Sequence, residues 1–468
     1  MLFNSLHFLL FFPVVCVVYF CLPSLRARNL FLLGASYYFY MNWEPAYALL
    51  LLTSTVITYL AALGIGHSTR RREKRLWLTG SLVLNLGILF LFKYYNFAAE
   101  NISDLLARWG MSVQMPEFTL LLPVGISFYI FQALGYSIDV YRGNTPIEKN
   151  FFTYALFVSF FPQLVAGPIE RSTNLLPQFK QKHAFSYENV MAGIRLMLWG
   201  YFLKLVLADR CALYVDTIFN NVPYHNGGSF LLASLFFSFQ IYGDFAGYSL
   251  TAIGAAKVMG FDLKENFRRP YFAATVTEFW RRWHISLSTW FRDYVYIPMG
   301  GNRKGSARCY SNIMTTFIVS GIWHGANWTF IIWGAIHGGL QCIEKRLGWN
   351  KKQWKMQEKI IHWGFTFCIL CLAWIFFRAN TVSDAFLMIK GIFTDLAIPS
   401  KIEGVTFCAI ALALTVVFMK EIIDEYGLKI RISESPVWIV RHMYIVGMIV
   451  FIILLGVLNG DQFIYFQF

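Results

Sequence analysis

An all-α, polytopic membrane protein is the fold class that the sequence predicts, and three observations predict it. Hydrophobic residues fill 57% of the 468 positions and charged residues only 14%, where an average soluble domain carries roughly 25% charge. The mean hydropathy of +0.50 is too high for one buried core beneath a polar surface. Apolar runs near the length of a bilayer span, about 17–25 residues, recur along the whole chain. Basic residues gather in the short segments between those runs, so the net charge of +14 reads as a positive-inside distribution and not as nucleic-acid binding. No repeat, low-complexity tract or separately folding soluble segment interrupts the pattern. Residues 1–468 are therefore read as one membrane domain of about 11–12 transmembrane helices, with re-entrant and interfacial helices besides.

The elements follow in order. Leu6–Leu22 is apolar, with no basic residue before it and no small-residue cleavage pattern after it; a retained span is expected. Arg26 and Arg28 follow, then a span near Tyr47–Ile65. Arg70, Arg71, Arg72, Lys74 and Arg75 mark the next loop as cytoplasmic, which puts the N-terminus outside. Spans near Leu76–Phe92 and Leu120–Ile138 lead to a cytoplasmic segment around Arg142–Lys149. Phe151–Ala166 is apolar but interrupted by Pro162 and closed by Gly167-Pro168. A re-entrant element is expected there, because broken backbone at membrane depth needs protein or water around it.

Spans near Val190–Leu207 and Phe230–Val258 precede a loop, Lys257–Tyr310, with ten basic and four acidic residues. Lys345–Lys359 holds six basic residues against the single acid Glu358. Both segments should face the cytoplasm, so Asn312–Cys342 must leave and return as two short legs turning at Gly325-Ala326-Asn327. Three more spans, near residues 360–377, 404–422 and 443–458, leave the C-terminus outside.

The polar signature lies between spans, in Phe279-Trp280-Arg281-Arg282-Trp283-His284. Thr275-Val-Thr-Glu278 matches a capping box and predicts a helix starting at Val276. Trp280, Trp283, Leu287, Trp290 and Phe291 then recur at helical spacing, as in an amphipathic helix lying in the cytoplasmic interface. His284 beside that stripe is either an aromatic-belt residue or a functional one, and spacing does not separate the two. Arg281, Arg282 and Arg303 read either as positive-inside anchors or, with Trp280 and Trp283, as a surface for a phosphate-bearing cytoplasmic donor. Guanidinium forks suit phosphate. Gly300-Gly301-Asn302-Arg303-Lys304-Gly305 does not match a phosphate loop.

His324 stands at the expected hairpin tip, in Trp323-His324-Gly325. A neutral imidazole there can act as a general base, whereas burial works against its protonation; a packing histidine is the competing reading. His337, on the returning leg, reads as structural. Asp244 is an intramembrane carboxylate and, with Asn327, a candidate for a polar channel wall. The histidines lack the i,i+4 pairing of a helical metal site, so no metal and no bound cofactor are expected. Cys368 and Cys371 read as packing residues. Tyr465, in Phe463-Ile-Tyr-Phe-Gln-Phe468, reads on its own as an aromatic anchor.

Four blocks together carry a resemblance. Pro123-Val-Gly-Ile-Ser-Phe-Tyr129, Phe161-Pro-Gln-Leu-Val-Ala-Gly-Pro-Ile169, Trp280–Asp293 and Trp323-His324-Gly325 resemble the membrane-bound O-acyltransferase (MBOAT) family. The nearest likeness is to its bacterial branch of alginate O-acetylation, peptidoglycan O-acetylation and teichoic-acid D-alanylation proteins. The resemblance implies helices around a thinned central channel, with His324 as the catalytic histidine and His284 as the second characteristic polar position. It also implies that the terminal Phe-x-Tyr-x-x-Phe places Tyr465 as an acyl carrier.

The expected activity is thus transfer of an acyl group, most simply acetyl, from a cytoplasmic thioester across a bacterial cytoplasmic membrane, for O-acylation of a cell-wall or secreted polysaccharide. Acetyl-CoA is the expected donor, with an acyl-carrier thioester as the second choice. An extracytoplasmic SGNH-type or related sugar O-acetyltransferase is the expected partner, with lipids around the spans. Two rival classes remain at this point. In a transporter or flippase, His324 and Asp244 would serve a substrate or proton pathway; the third reading is a noncatalytic scaffold.

Overall fold

The structure is a computed structural model that describes residues 1–458 apart from 112, 114, 121, 166, 353 and 429–431. The described residues are helical and contain no β-strand. Seven helices among them are long and apolar enough to cross a membrane: Tyr47–His67, Arg71–Arg108, Tyr187–Phe219, Gly227–Val258, Met356–Arg378, Gly404–Glu425 and Trp438–Leu455. The other expected crossings fall on helices that are shorter, such as Leu6–Cys21, or more polar. The chain clusters into two compact units, Met1–Gly193 with Ala255–Lys264, and Ile194–Gly254 with Glu265–Phe468.

In the first unit, local chemistry sets the helix ends. Ser5 caps Leu6–Cys21 by accepting the Phe8 amide, and Ser24 caps Leu25–Met41 by accepting that of Ala27. Arg28 is buried, and its guanidinium donates to the carbonyls of Phe20 and Leu22, acceptors that the end of the first helix leaves orphaned, and to that of His183. The segment expected to be re-entrant is two short helices, Phe151–Ser159 and Phe161–Leu164, broken at Phe160. The turn that opens Ile126–Arg142 depends on Gly125. It has φ +74°, and a Cβ there would lie 2.9 Å from the Leu164 carbonyl oxygen, so only glycine fits.

In the second unit, the core is aromatic. Trp283, Trp333 and Trp374 are each no more than 1% exposed and pack with Tyr242, Tyr271, Phe279 and Phe377. Between Tyr187–Tyr201 and Asp209–Phe219 the helix widens into a π turn, Phe202–Ala208. This turn carries the buried Lys204, whose Nζ lies 2.8 Å from both Asp209 and Asp244. The hairpin expected at Asn312–Cys342 is present, with its turn at Gly325–Asn327. Its legs, Gly305–His324 and Trp328–Arg346, are longer than expected, at 20 and 19 residues. They pack closely because Gly321 and Gly334 face backbone: a Cβ at either would stand 2.3 or 2.4 Å from the Phe330 or Phe317 carbonyl oxygen.

Candidate active site

The polar signature departs from the expected single amphipathic helix. Thr275 does cap Val276–Arg282, its Oγ1 accepting the Glu278 amide at 3.0 Å. The helix then ends. Trp283 is extended, His284 takes φ +42° in the left-handed region, and a second helix starts at Ile285. Left-handed backbone is uncommon for a residue with a Cβ and stores strain of order 1–3 kcal/mol. The break turns His284 and Trp283 into the core rather than along an interface; both are at most 1% exposed. Packing outweighed periodicity here, because large aromatic surfaces were available on Tyr242, Phe267, Tyr271, Phe279 and Trp374 to receive the Trp283 indole.

Asn266 holds the break together. Its backbone oxygen accepts the Ile285 amide at 2.9 Å, and its Oδ1 accepts the Ser286 amide at 3.1 Å and the Ser286 hydroxyl at 2.9 Å. The same Oδ1 lies 3.2 Å from His284 Nδ1, while Nδ2 donates to Ser249 Oγ at 3.1 Å. Burial in this apolar setting pushes the His284 imidazole down to about 3 from its ordinary 6.5. The His284 ring meets Phe245 edge-on at 4.4 Å and Trp323 at 6.3 Å between centroids.

His324 is the last residue of Gly305–His324, 2% exposed. Three rings surround it edge-on, Trp323 and Trp333 at 5.0 Å and Phe377 at 5.2 Å. Trp323 therefore touches both His284 and His324. On the far side of Trp333 sits His337, at 4.8 Å. Its Nδ1 accepts the Trp280 indole N–H at 3.2 Å, so its own proton is on Nε2, because an indole nitrogen can only donate. Three buried histidines thus lie in one aromatic cluster.

A cavity of about 520 Å³ adjoins this cluster. Its wall includes Trp280, Arg281, Ile285, Arg292, Ser320 and Lys345. Ile285 follows His284, and Ser320 precedes His324 by one helical turn. Cationic heads on an otherwise mixed wall of this size suit an elongated anionic ligand.

The remaining candidates separate. Arg282 is not on the cavity wall: both its terminal nitrogens lie 2.9 Å from Glu425, one of them also 2.7 Å from Glu278, and Arg269 binds Glu425 as well. This fork leaves little of the guanidinium for phosphate. Trp283 is core, and Arg303 is exposed away from the cavity wall. Asp244 is paired with Lys204. Asn327 is a helix cap, its Oδ1 accepting the Thr329 amide and its Nδ2 donating to the Asn380 carbonyl, each at 3.0 Å. Tyr465 lies outside the described residues.

Sequence reasoning passed over Asn266, Arg292, Lys345 and Glu344. The Glu344 carboxylate accepts the Val276 and Thr277 amides at 2.5 and 2.9 Å, seating the helix that bears Trp280 and Arg281. Arg292 and Lys345 were visible as charges near the signature; nothing local marked Asn266 or Glu344.

Residues 147–382 match the family described as MBOAT, membrane-bound O-acyltransferase family. The chain is 40% identical over 396 residues to a probable alginate O-acetylase AlgI of Pseudomonas putida, covering 84% of this chain and 80% of that one. It is 37% identical over 423 residues to a peptidoglycan O-acetyltransferase of Helicobacter pylori, covering 84% and 79%. Identity to a teichoic acid D-alanyltransferase of Bacillus subtilis is 27% over 317 residues, covering 64% and 77%.

Proposed function

Because the chain belongs to the membrane-bound O-acyltransferase family, we propose that it moves an acetyl group from a cytoplasmic thioester to a hydroxyl, in a route that O-acetylates a cell-wall or secreted polysaccharide outside. The observation that carries this reading is the pair of buried histidines sharing Trp323, beside a cavity with Arg281, Arg292 and Lys345 on its wall. In the proposed step His324 takes the proton of the accepting hydroxyl as its oxygen attacks the thioester carbonyl. The carbon–sulfur bond breaks, an ester forms, and the imidazolium returns its proton to the departing thiolate. Acetyl-CoA is the proposed donor, its phosphates facing Arg281, Arg292 and Lys345. The more similar relatives, an alginate O-acetylase and a peptidoglycan O-acetyltransferase, favour acetyl over D-alanyl transfer. An extracytoplasmic SGNH-type or related sugar O-acetyltransferase is the proposed partner, and both termini are proposed to lie outside.

The test is release of coenzyme A thiol from acetyl-CoA by the purified protein in lipid nanodiscs, the acetyl group passing to an added hydroxyl acceptor or, without one, to water. Wild type should release it. A folded His324→Ala variant should lose about 10²–10⁴-fold in rate, the usual effect of removing a general base. A transporter or scaffold would release none, and wild-type turnover in the His324→Ala variant would overturn the assignment.

A further inference from the structure

We propose that Asn266 is the positioning residue of the site: its side-chain oxygen holds His284 with the proton on Nδ1, so that Nε2 of the neutral ring is kept as a hydrogen-bond acceptor in the site while His324 remains the base. This role rests on the family-level acyl transfer proposed above and on the hydrogen bonds of one amide.

The orientation of that amide is determined by its partners. The Ser286 backbone N–H, 3.1 Å away, can only donate, so the atom facing it is oxygen. The other amide atom is then the nitrogen, and it finds an acceptor in Ser249 Oγ at 3.1 Å. His284 Nδ1 lies 3.2 Å from the same oxygen. Two acceptors do not make a hydrogen bond, so Nδ1 carries the proton and the lone pair of the neutral ring is on Nε2. His337 is in the opposite state, because the Trp280 indole donates to its Nδ1. The two histidines are therefore fixed as different tautomers by two different neighbours.

An amide sets this tautomer without the charge by which a carboxylate would raise the basicity of the ring. A carboxylate against Nδ1 would favour the imidazolium, whose Nε2 donates and cannot accept. Asn266 orients the ring while leaving it neutral. The rings of Phe245, Phe267 and Trp323, packed on His284 from the neighbouring elements, carry no charge, and Trp323 also meets the titratable His324. Asn266 also receives the Ile285 amide immediately after the left-handed His284, so one residue sets both the ring's tautomer and the backbone turn that presents it.

The experiment compares wild type with Asn266→Asp and Asn266→Ala in nanodiscs, following coenzyme A release from acetyl-CoA against pH. Asn266→Asp should retain turnover at high pH and gain a loss on the acid side, its acid limb at least about one pH unit above that of wild type. Asn266→Ala, where folded, should lower kcat about 10–100-fold with the acetyl-CoA KM within about twofold, as for lost support of an oriented histidine. An Asn266→Asp profile coincident with wild type would overturn the proposal, as would wild-type kcat in folded Asn266→Ala. If Asn266→Ala does not fold, the Asp profile decides. Nitrogen-15 NMR of histidine-labelled wild type, with His284→Gln identifying the signal, reads the tautomer without any turnover. A protonated Nδ1 with a bare Nε2 supports the proposal, and a bare Nδ1 overturns it. Inactive wild type would instead count against the acyl-transfer reading alone.

Discussion

At the scale of residues, neighbouring arginines in the signature have been given different work. Arg281 lines the cavity and makes no ion pair among the described residues, whereas Arg282 is enclosed by Glu278 and Glu425. Arg281→Glu should therefore raise the acetyl-CoA KM about tenfold or more with little change in thermal stability. Arg282→Glu sets three carboxylates together and should lower the unfolding temperature and the yield of folded protein. Donor titration and thermal unfolding on both variants check this division, and equal behaviour of the two would refute it. His284 makes a prediction of different kind. Its folded value near 3 lies below the unfolded 6.5, so between those pH values the unfolded chain binds the extra proton. Stability then rises with pH across that window and is lost on acidification, by at most about 1.4 kcal/mol per pH unit from this group. His284→Gln should flatten the fall in unfolding temperature between pH 6.5 and pH 4.5; an unchanged fall would exclude His284 as its source.

At the scale of elements, legibility followed the range of the contact. The hairpin turn at Gly325–Asn327, the Thr275 cap and the broken Phe151–Leu164 segment rest on residues a few positions apart, and the sequence displays them directly. The fate of Arg282 depends on Glu425, 143 positions away, and the seat of its helix on Glu344, 68 positions from Val276. No periodicity encodes such pairs. The amphipathic pattern over Val276–Phe291 misled because an indole stripe fits an interface and an aromatic core equally well, and the core was there to take it. Lys204 did leave a local trace, as a lone ammonium in an apolar run able to neutralise Asp244. The hairpin itself yields a test. Gly321 and Gly334 oppose rigid carbonyls across the two legs, whereas Gly339, on the leg of Gly334, has open space. Gly321→Val should cost at least about 1–3 kcal/mol through overpacking and displace His324 one turn later, while Gly339→Ala should be tolerated or gain about 0.5–1 kcal/mol. Comparable unfolding temperatures for the two variants would contradict the close packing of the legs.

At the scale of the whole molecule, the proposed reaction needs an acyl group to travel from an inside donor to an outside sugar. A hydroxyl that takes it part of the way is proposed on Tyr465. Phenol, with a reference pKa of about 10, needs a base before it attacks, and its ester transfers more readily than an alkyl ester because phenolate is the better leaving group. An aromatic anchor requires the ring but not the hydroxyl. Tyr465→Phe should thus abolish polysaccharide acetylation in cells while leaving membrane insertion intact, and full acetylation by that variant would reject the relay.

The cluster of Lys204, Asp209 and Asp244 also bears on how the chain is made. Its charges come from two successive apolar helices, Tyr187–Phe219 and Gly227–Val258. A lysine or an aspartate at the centre of a lone inserting helix opposes its entry into lipid by about 2.5–3.5 kcal/mol. Gly227–Val258 brings Asp244 alone, and its counter-ion has already been synthesised on the preceding helix. Partitioning of the earlier helix is therefore best completed when the later one emerges, so that ribosome and translocon hand the two helices to the bilayer as a neutralising pair rather than in turn.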